Sequence, residues 1–531
     1  MNRRLKQWIG RGGGGITLLI LPLFAVPVLV YIGRLLLHQP GITFAGDVAL
    51  IEMATRQAAR GAQMLGPYSR FGWSHPGPAW FLFLAVPYRL VGFQSWSIVV
   101  AAALFHVLVG AALLWLCWRQ GGRRLVVLTA FFLVVYIRSV DVNLFIYPWN
   151  PWALILPMLL LIVVSATDVL RPSTKLLWSA VLGSILVQTH LGTAPIVAGI
   201  GISVVGIECL RRRRNPGQRL IAGWNRLRQP RIVLPVAALF VLWVPPLVQQ
   251  LTHSPGNLGL ILRFVRLPDP GHSLSEAMKA VGSQLRRFPF ERGRLVNDPV
   301  PSHATDGLVL LFYLAVSILL IALGRRRGEQ FVARLGMSTG LGLVISVISV
   351  MRVSGGIFDF LTAWISVLPV ALWLGLGHLL ARKVRRKSLT QIAGSVMAAV
   401  ALVLAVEMTR PLATGPLKTP EWGPTRAAWA ATQAALPRYR TEILLRIGTQ
   451  DRWSMATGLV NQLTKHGWRV AVTDDWLFMF GDAHRRSGRE SLELLVVAST
   501  PGAVSAPGGR LLGDFGGTMV ALSPVRSGTG R

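Results

Sequence analysis

Long apolar stretches alternate with short basic loops along most of this chain. Runs long enough to cross ~30 Å of hydrocarbon fall near 16–37, 95–118, 124–138, 151–166, 176–190, 192–210, 232–250, 307–323, 337–352, 358–380 and 391–408. They predict about eleven transmembrane helices and make residues 1–408 an all-α polytopic membrane domain. One further apolar stretch, 77–93, decides the orientation of everything after it. If it does not cross, the clusters Arg211–Arg214, Arg325–Arg327 and Arg382–Lys387 lie with the N-terminus on the cytoplasmic side, as the positive-inside rule requires. If it crosses, they all face outward. The pattern therefore reads 77–93 as a juxtamembrane helix on the outer face. The opening "MNRRLKQWIGRGGGG" has no cleavage site after its apolar run and reads as an uncleaved anchor.

This topology sends the polar stretches outward: a first outer loop (38–94), a second (139–152), a long one (251–306) and everything beyond 408. The long loop carries Asp269, Glu276, Glu291, Asp298 and Asp306 and one amphipathic helix at 273–288. A loop of ~15 or more residues is often a binding loop or lid. From 409 to 531 the pattern changes to that of a small extracytoplasmic α/β domain. Strands are predicted at 441–448, 468–474, 492–499 and 517–524, and a helix at 452–467 ending on Gly467.

Composition agrees. The 531 residues are 52% hydrophobic and 15% charged, which places the chain among polytopic membrane proteins. The formal charge of +33 sits in orientation clusters and not in an aromatic-interleaved basic domain, which argues against nucleic acid as a partner. Cys117 and Cys209 lie at the ends of apolar runs and make no disulfide or thiolate-metal framework. No HxxxH, CxxC or dense acidic cluster points to a metal, and no cofactor is expected. Few lysines among many Ala, Arg, Gly and Val fit a high-GC bacterium.

Candidate chemistry concentrates in the first outer loop. It runs from Gly46-Asp47 through Glu52, Arg56 and Arg60 to "GPYSRFGWSHPGP" at 66–78. Asp47 opens a helix-like stretch, 47–60, that Gly61 terminates; the plain structural explanation is a helix N-cap. Glu52, Arg56 and Arg60, spaced i, i+4, i+8, read as a surface salt-bridge ladder. His75 precedes prolines that restrict its backbone. With Arg70 it offers a phosphate several donors and positive charge. Elsewhere on the outer face, Asp141, Asn143 and Asn150 occupy the second loop. Gln188 and His190 end an apolar helix, where a polar pair is costly and often functional, or else makes a helix-packing hydrogen bond.

An N-terminal span, "GD" in the first outer loop and a His-Pro-x-Pro turn leading into an apolar helix together resemble the C-type glycosyltransferases. That family includes the protein mannosyltransferase-like and aminoarabinose transferase-like groups. The likeness covers the architecture of about residues 1–410, with its motifs confined to 46–78. It implies a GT-C-like fold whose 77–93 helix lies along the outer surface, and a multi-pass protein of the bacterial cytoplasmic membrane. It implies a polyprenyl-phosphate sugar as donor and a cell-envelope glycan, lipid or protein as acceptor, with Asp47 as general base. Arg56, Arg70, His75, Asp141 and His190 are the substrate- or phosphate-binding candidates. One departure stands out. Many relatives carry an acidic pair near the first Asp, whereas Glu52 lies five positions on, which puts it on a different helix face from Asp47. A lipid or glycan transporter or flippase, and a non-catalytic envelope scaffold, remain the alternatives.

Overall fold

A computed structural model describes residues 19–214, 230–267, 271–291, 298–384, 386–415, 422–499 and 509–525. The N-terminal anchor's basic segment, most of the loop after Arg214 and Asp269 lie outside the described residues. In chain order the longer helices are α1 (Val26–His38), α2 (Gly46–Ala59), α3 (Ala79–Leu90), α4 (Trp96–Val140), α5 (Ile155–Ala166), α6 (Pro172–Thr189), α7 (Ala194–Arg214) and α8 (Pro230–Thr252). They continue with α9 (Asn257–Arg266), α10 (Leu274–Phe290), α11 (Asp306–Arg326), α12 (Gln330–Met351), α13 (Leu368–Lys383), α14 (Lys387–Thr414), α15 (Trp422–Ala435) and α16 (Trp453–Lys465). The strands are β1 (Glu442–Ile447), β2 (Arg469–Val472), β3 (Glu490–Ala498), β4 (Arg510–Asp514) and β5 (Thr518–Pro524).

Each apolar run of the sequence contains a helix. The runs at 95–118 and 124–138 are the two arms of α4, which breaks at Gly122, whose φ of 64° favours glycine. Among the described residues six helices are long and apolar enough to cross a membrane. The runs at 16–37, 151–166 and 192–210 hold shorter ones, so length alone does not yield about eleven crossings. The chain is a mostly helical multi-pass membrane protein with a small C-terminal sheet. The stretch 77–93 forms α3, whose 12 residues span about 18 Å, well short of the hydrocarbon thickness.

The contacts divide the chain into two compact units that are not simply its first 408 residues and the rest. The first unit comprises Met1–Arg34, Ala102–Leu247 and Arg266–Gly415. It contains α10, which starts at a capping box in which Ser273 and Glu276 bond each other's backbone N–H. This helix was expected to be amphipathic within an outer loop, yet most of its second half is buried. Gln284 donates to Asp359 Oδ1 at 3.0 Å and Thr362 Oγ1 at 2.9 Å, and Arg287 pairs with Asp359 at 2.7 Å.

The second unit comprises Leu35–Ala101, Val248–Val265 and Pro416–Arg531. Its sheet has the order β2-β1-β3-β5-β4, with β1 parallel to β2 and β3, and β5 antiparallel to β3 and β4. The parallel pair β1–β2 requires a crossover, and α16 provides it. The strand β4 and the helix α15 were not anticipated. Helix α16 is buried from Met455 through Leu463. One apolar cluster joins Leu459 and Leu463 of α16, Ile443 and Val472 of the sheet, and Leu50 and Met53 of α2. Burying each such side chain contributes about 1.5–3 kcal/mol, so the first outer loop and the C-terminal segment share one core.

Candidate active site

Helix α2 starts at Ala45, an extended residue without a side-chain cap. Gly61, at φ 76°, ends it in the left-handed conformation that glycine supplies. Asp47 therefore lies in the first turn and is not the N-cap. Within 42–53, all of it described, every residue except Asp47 is buried. The helix N-terminus favours a negative charge there, and the Tyr68 hydroxyl donates to Asp47 Oδ1 at 2.8 Å.

Tyr68 is held by a tight hairpin. The Ser69 amide donates to the Trp73 carbonyl at 2.8 Å, His75 to Pro67 at 2.8 Å and Gly66 to His75 at 2.9 Å, which pairs Tyr68 with Ser74 across the turn. The hairpin is fastened in turn to α9. Ser74 N donates to Asn257 Oδ1 at 2.8 Å, and Asn257 Nδ2 donates to the Ser74 carbonyl at 2.7 Å. Burial, followed by the Asp47 charge and its hydrogen bond, pushes the Tyr68 phenol far above its ordinary value. It stays a donor at any physiological pH. Arg70 on the same hairpin is exposed, its guanidinium 5.0 Å from the Phe71 ring centroid. His75 is buried edge-on to Trp73, with ring centroids 5.4 Å apart.

Glu52 and Arg56 do not form a surface ladder. Glu52 is 0% exposed. Its Oε1 accepts from the Tyr88 hydroxyl at 2.8 Å, Ser95 Oγ at 2.7 Å and Lys465 Nζ at 2.8 Å, and its Oε2 from Asn461 Nδ2 at 2.6 Å. Burial alone would raise this carboxyl's pKa. The Lys465 charge and hydrogen bonds from Lys465, Ser95 and Asn461 outweigh burial and hold it below the ordinary value. Arg56 is also buried and donates to Asn461 Oδ1 at 3.0 Å and Thr464 Oγ1 at 2.7 Å. Both side chains tie α2 to α16. At the other end of this contact Thr457 Oγ1 donates to the Gly46 carbonyl at 3.2 Å. Gly46 has φ 58°, and an added Cβ would lie 3.1 Å from Ser454 Oγ.

Asp141 and His190 belong to the first unit. Asp141 takes a φ of 101°, strained for a non-glycine residue, and its Oδ1 accepts from Asn143 N at 2.8 Å and Asn143 Nδ2 at 2.9 Å. His190 caps the end of α6 and accepts from Gly192 N at 3.1 Å. Asn150 Nδ2 donates to the neighbouring Thr189 carbonyl at 3.2 Å, which brings part of the second outer loop to His190. Gln188 makes a packing bond to the Leu242 carbonyl at 2.9 Å. Among the described residues no three His, Cys, Asp or Glu side chains come together as metal ligands would.

Sequence reasoning passed over Tyr68, Asn461 and Lys465. Tyr68 sat inside the quoted motif. Asn461 is a polar residue in the middle of an apolar helix, and Lys465 follows it at i+4 on the same face. That pair was the available signal for a buried polar contact.

No family model and no curated protein sequence matches the chain. Among solved structures it is similar to ArnT from Cupriavidus metallidurans bound to undecaprenyl phosphate, with 15% identity, coverage of 96% of this chain and 98% of that one, and a TM-score of 0.48. ArnT from the same organism in the apo state gives 13% identity, 94% and 97% coverage and a TM-score of 0.37. The arabinofuranosyltransferase AftD from Mycobacteria gives 16% identity and a TM-score of 0.37, covering 96% of this chain and 40% of that one.

Proposed function

We propose that the protein is a membrane glycosyltransferase that moves a sugar from a polyprenyl-phosphate donor to a cell-envelope acceptor, with Asp47 as general base. The carrying observation is the partial exposure of Asp47 in an otherwise buried segment, with its carboxylate accepting a hydrogen bond from Tyr68 at 2.8 Å. An acceptor hydroxyl attacks the anomeric carbon and gives its proton to Asp47. The bond from that carbon to the phosphate oxygen breaks, and the polyprenyl phosphate leaves with the electron pair, inverting the anomeric centre. Arg70 and His75, on the hairpin that presents Tyr68, are assigned to the leaving phosphate. Arg56 is assigned to holding α2, because its guanidinium is engaged by Asn461 and Thr464. Asp141 and His190 stay as substrate-contact candidates of the first unit. The reading places about eleven crossings in a bacterial cytoplasmic membrane, with the N-terminus inside and the second unit outside.

The experiment is Asp47→Asn in the purified full chain, assayed with polyprenyl-phosphate pentose and hexose donors carrying labelled sugars. Loss of transfer by roughly 10²–10⁴ is expected, with an unchanged melting temperature. Wild-type transfer in that variant would remove Asp47 from the base role.

A further inference from the structure

The C-terminal sheet presents the carboxyl ends of its parallel strands to the Asp47 loop. After β1 the chain enters α16 through Trp453 and Ser454, which lie beside Gly46; a Cβ there would be 3.6 Å from Trp453 Cη2. After β2 it continues as Asp474-Asp475-Trp476-Leu477-Phe478-Met479-Phe480. Within 476–480, all of it described, Phe478 alone stands outside the apolar core cluster. Its ring lies 5.9 Å from that of Tyr68, the hydrogen-bond partner of Asp47, and 6.1 Å from that of Trp476, stacked at 26°. All three rings are partly exposed. Asp474 and Asp475 are exposed beside Trp476, with Asp474 3.9 Å from Arg485. Crevices at the carboxyl ends of parallel strands are the usual ligand sites of α/β sheets.

We propose that Tyr68, Phe478 and Trp476, with Asp474 and Asp475 at the far end, form a binding subsite for a sugar ring. Sugars have apolar C–H faces that lie flat on aromatic rings, and hydroxyls that donate to carboxylates. A row of rings with carboxylates at its rim offers both. An apolar partner would take both carboxylates out of water at a cost. A phosphate would be repelled by them. The row reaches the Asp47 side chain through Tyr68, so the sugar it holds belongs to the acceptor whose hydroxyl is to be deprotonated. That last identification rests on the glycosyl-transfer reading; sugar binding itself does not.

The test uses the purified full chain in lipid nanodiscs and saturation-transfer NMR, with arabinotriose and mannotriose as pentose and hexose probes. At least one trimer is expected to bind. Phe478→Leu, which keeps apolar bulk but removes the ring, is expected to weaken it about fivefold, and Phe478→Tyr to retain it. Failure of both trimers to bind wild type, or equal binding by Phe478→Leu and Trp476→Leu, overturns the subsite. Should Phe478→Leu lower the melting temperature, the matched Phe478→Tyr protein decides: lost binding there overturns the proposal. Trimer binding without any need for Asp47 in transfer would remove the base assignment alone. An Asp47-dependent transferase that ignores both trimers would remove the subsite alone.

Discussion

The first turn of α2 and its middle hold carboxylates five residues apart in very different surroundings. Asp47 is partly exposed and accepts a hydrogen bond from the Tyr68 phenol. Glu52 is fully buried and is surrounded by Tyr88, Ser95, Asn461 and Lys465. A carboxylate saturated by buried donors cannot take a proton from a substrate. Asp47, partly exposed, keeps its carboxylate within reach of a substrate. The difference arises because α16 covers one end of α2 differently from the other: it meets Gly46 through backbone and a hydroxyl, and Glu52 and Arg56 through charged and amide groups. The buried pair holds the helix in place, and the partly exposed Asp47 is the residue to which the proposed function gives the base role.

The harshest way to break this contrast is to remove one partner of the buried pair. Glu52→Ala and Lys465→Met should each destabilise the full chain by roughly 3–5 kcal/mol. Lys465→Met should fall at the lower end, because the lysine is 21% exposed. Thermal melting of the purified protein measures this; a loss below about 1 kcal/mol would mean that α2 is held by its apolar contacts alone. A second, smaller effect follows from pH. Glu52 titrates below its ordinary value of 4.5, so the unfolded chain binds this proton first as pH falls. Its stabilisation is complete above that value and is lost as pH drops through the lower folded value. Wild type should therefore lose melting temperature below about pH 4.5 more steeply than Glu52→Gln, and parallel curves would contradict the pairing. The smallest effect is expected at the other end of the helix. Tyr68→Phe removes one hydrogen bond, worth about 1 kcal/mol. It should slow transfer severalfold with almost no change in melting temperature. A large stability loss would instead make Tyr68 a structural residue.

Much of the architecture could be read in advance because its signals are local. Apolar runs, the helix at 273–288, Gly61 at the end of α2 and the strands of the C-terminal segment each follow from neighbours a few residues apart. The site was only half legible. Asp47, Arg70 and His75 stood out as polar groups in an apolar context, whereas Glu52 and Arg56 were misread as a solvent-facing ladder. Helical spacing says which residues share a face, but not what covers that face. Here the cover is α16, some 400 positions away.

The amino-acid sequence by itself determined the membrane class, the location of most of the helices and strands, and the loop in which polar chemistry is concentrated. These depend on hydrophobic periodicity and turn residues, which act over short distances. Only the tertiary structure decided that the first outer loop and the C-terminal segment share one core, that Glu52 is a buried anchor while Asp47 stays partly exposed, and that Tyr68 bonds Asp47 with Phe478 beside the Tyr68 ring. Those outcomes depend on which distant surfaces exclude water from each other, and no local pattern encodes that pairing.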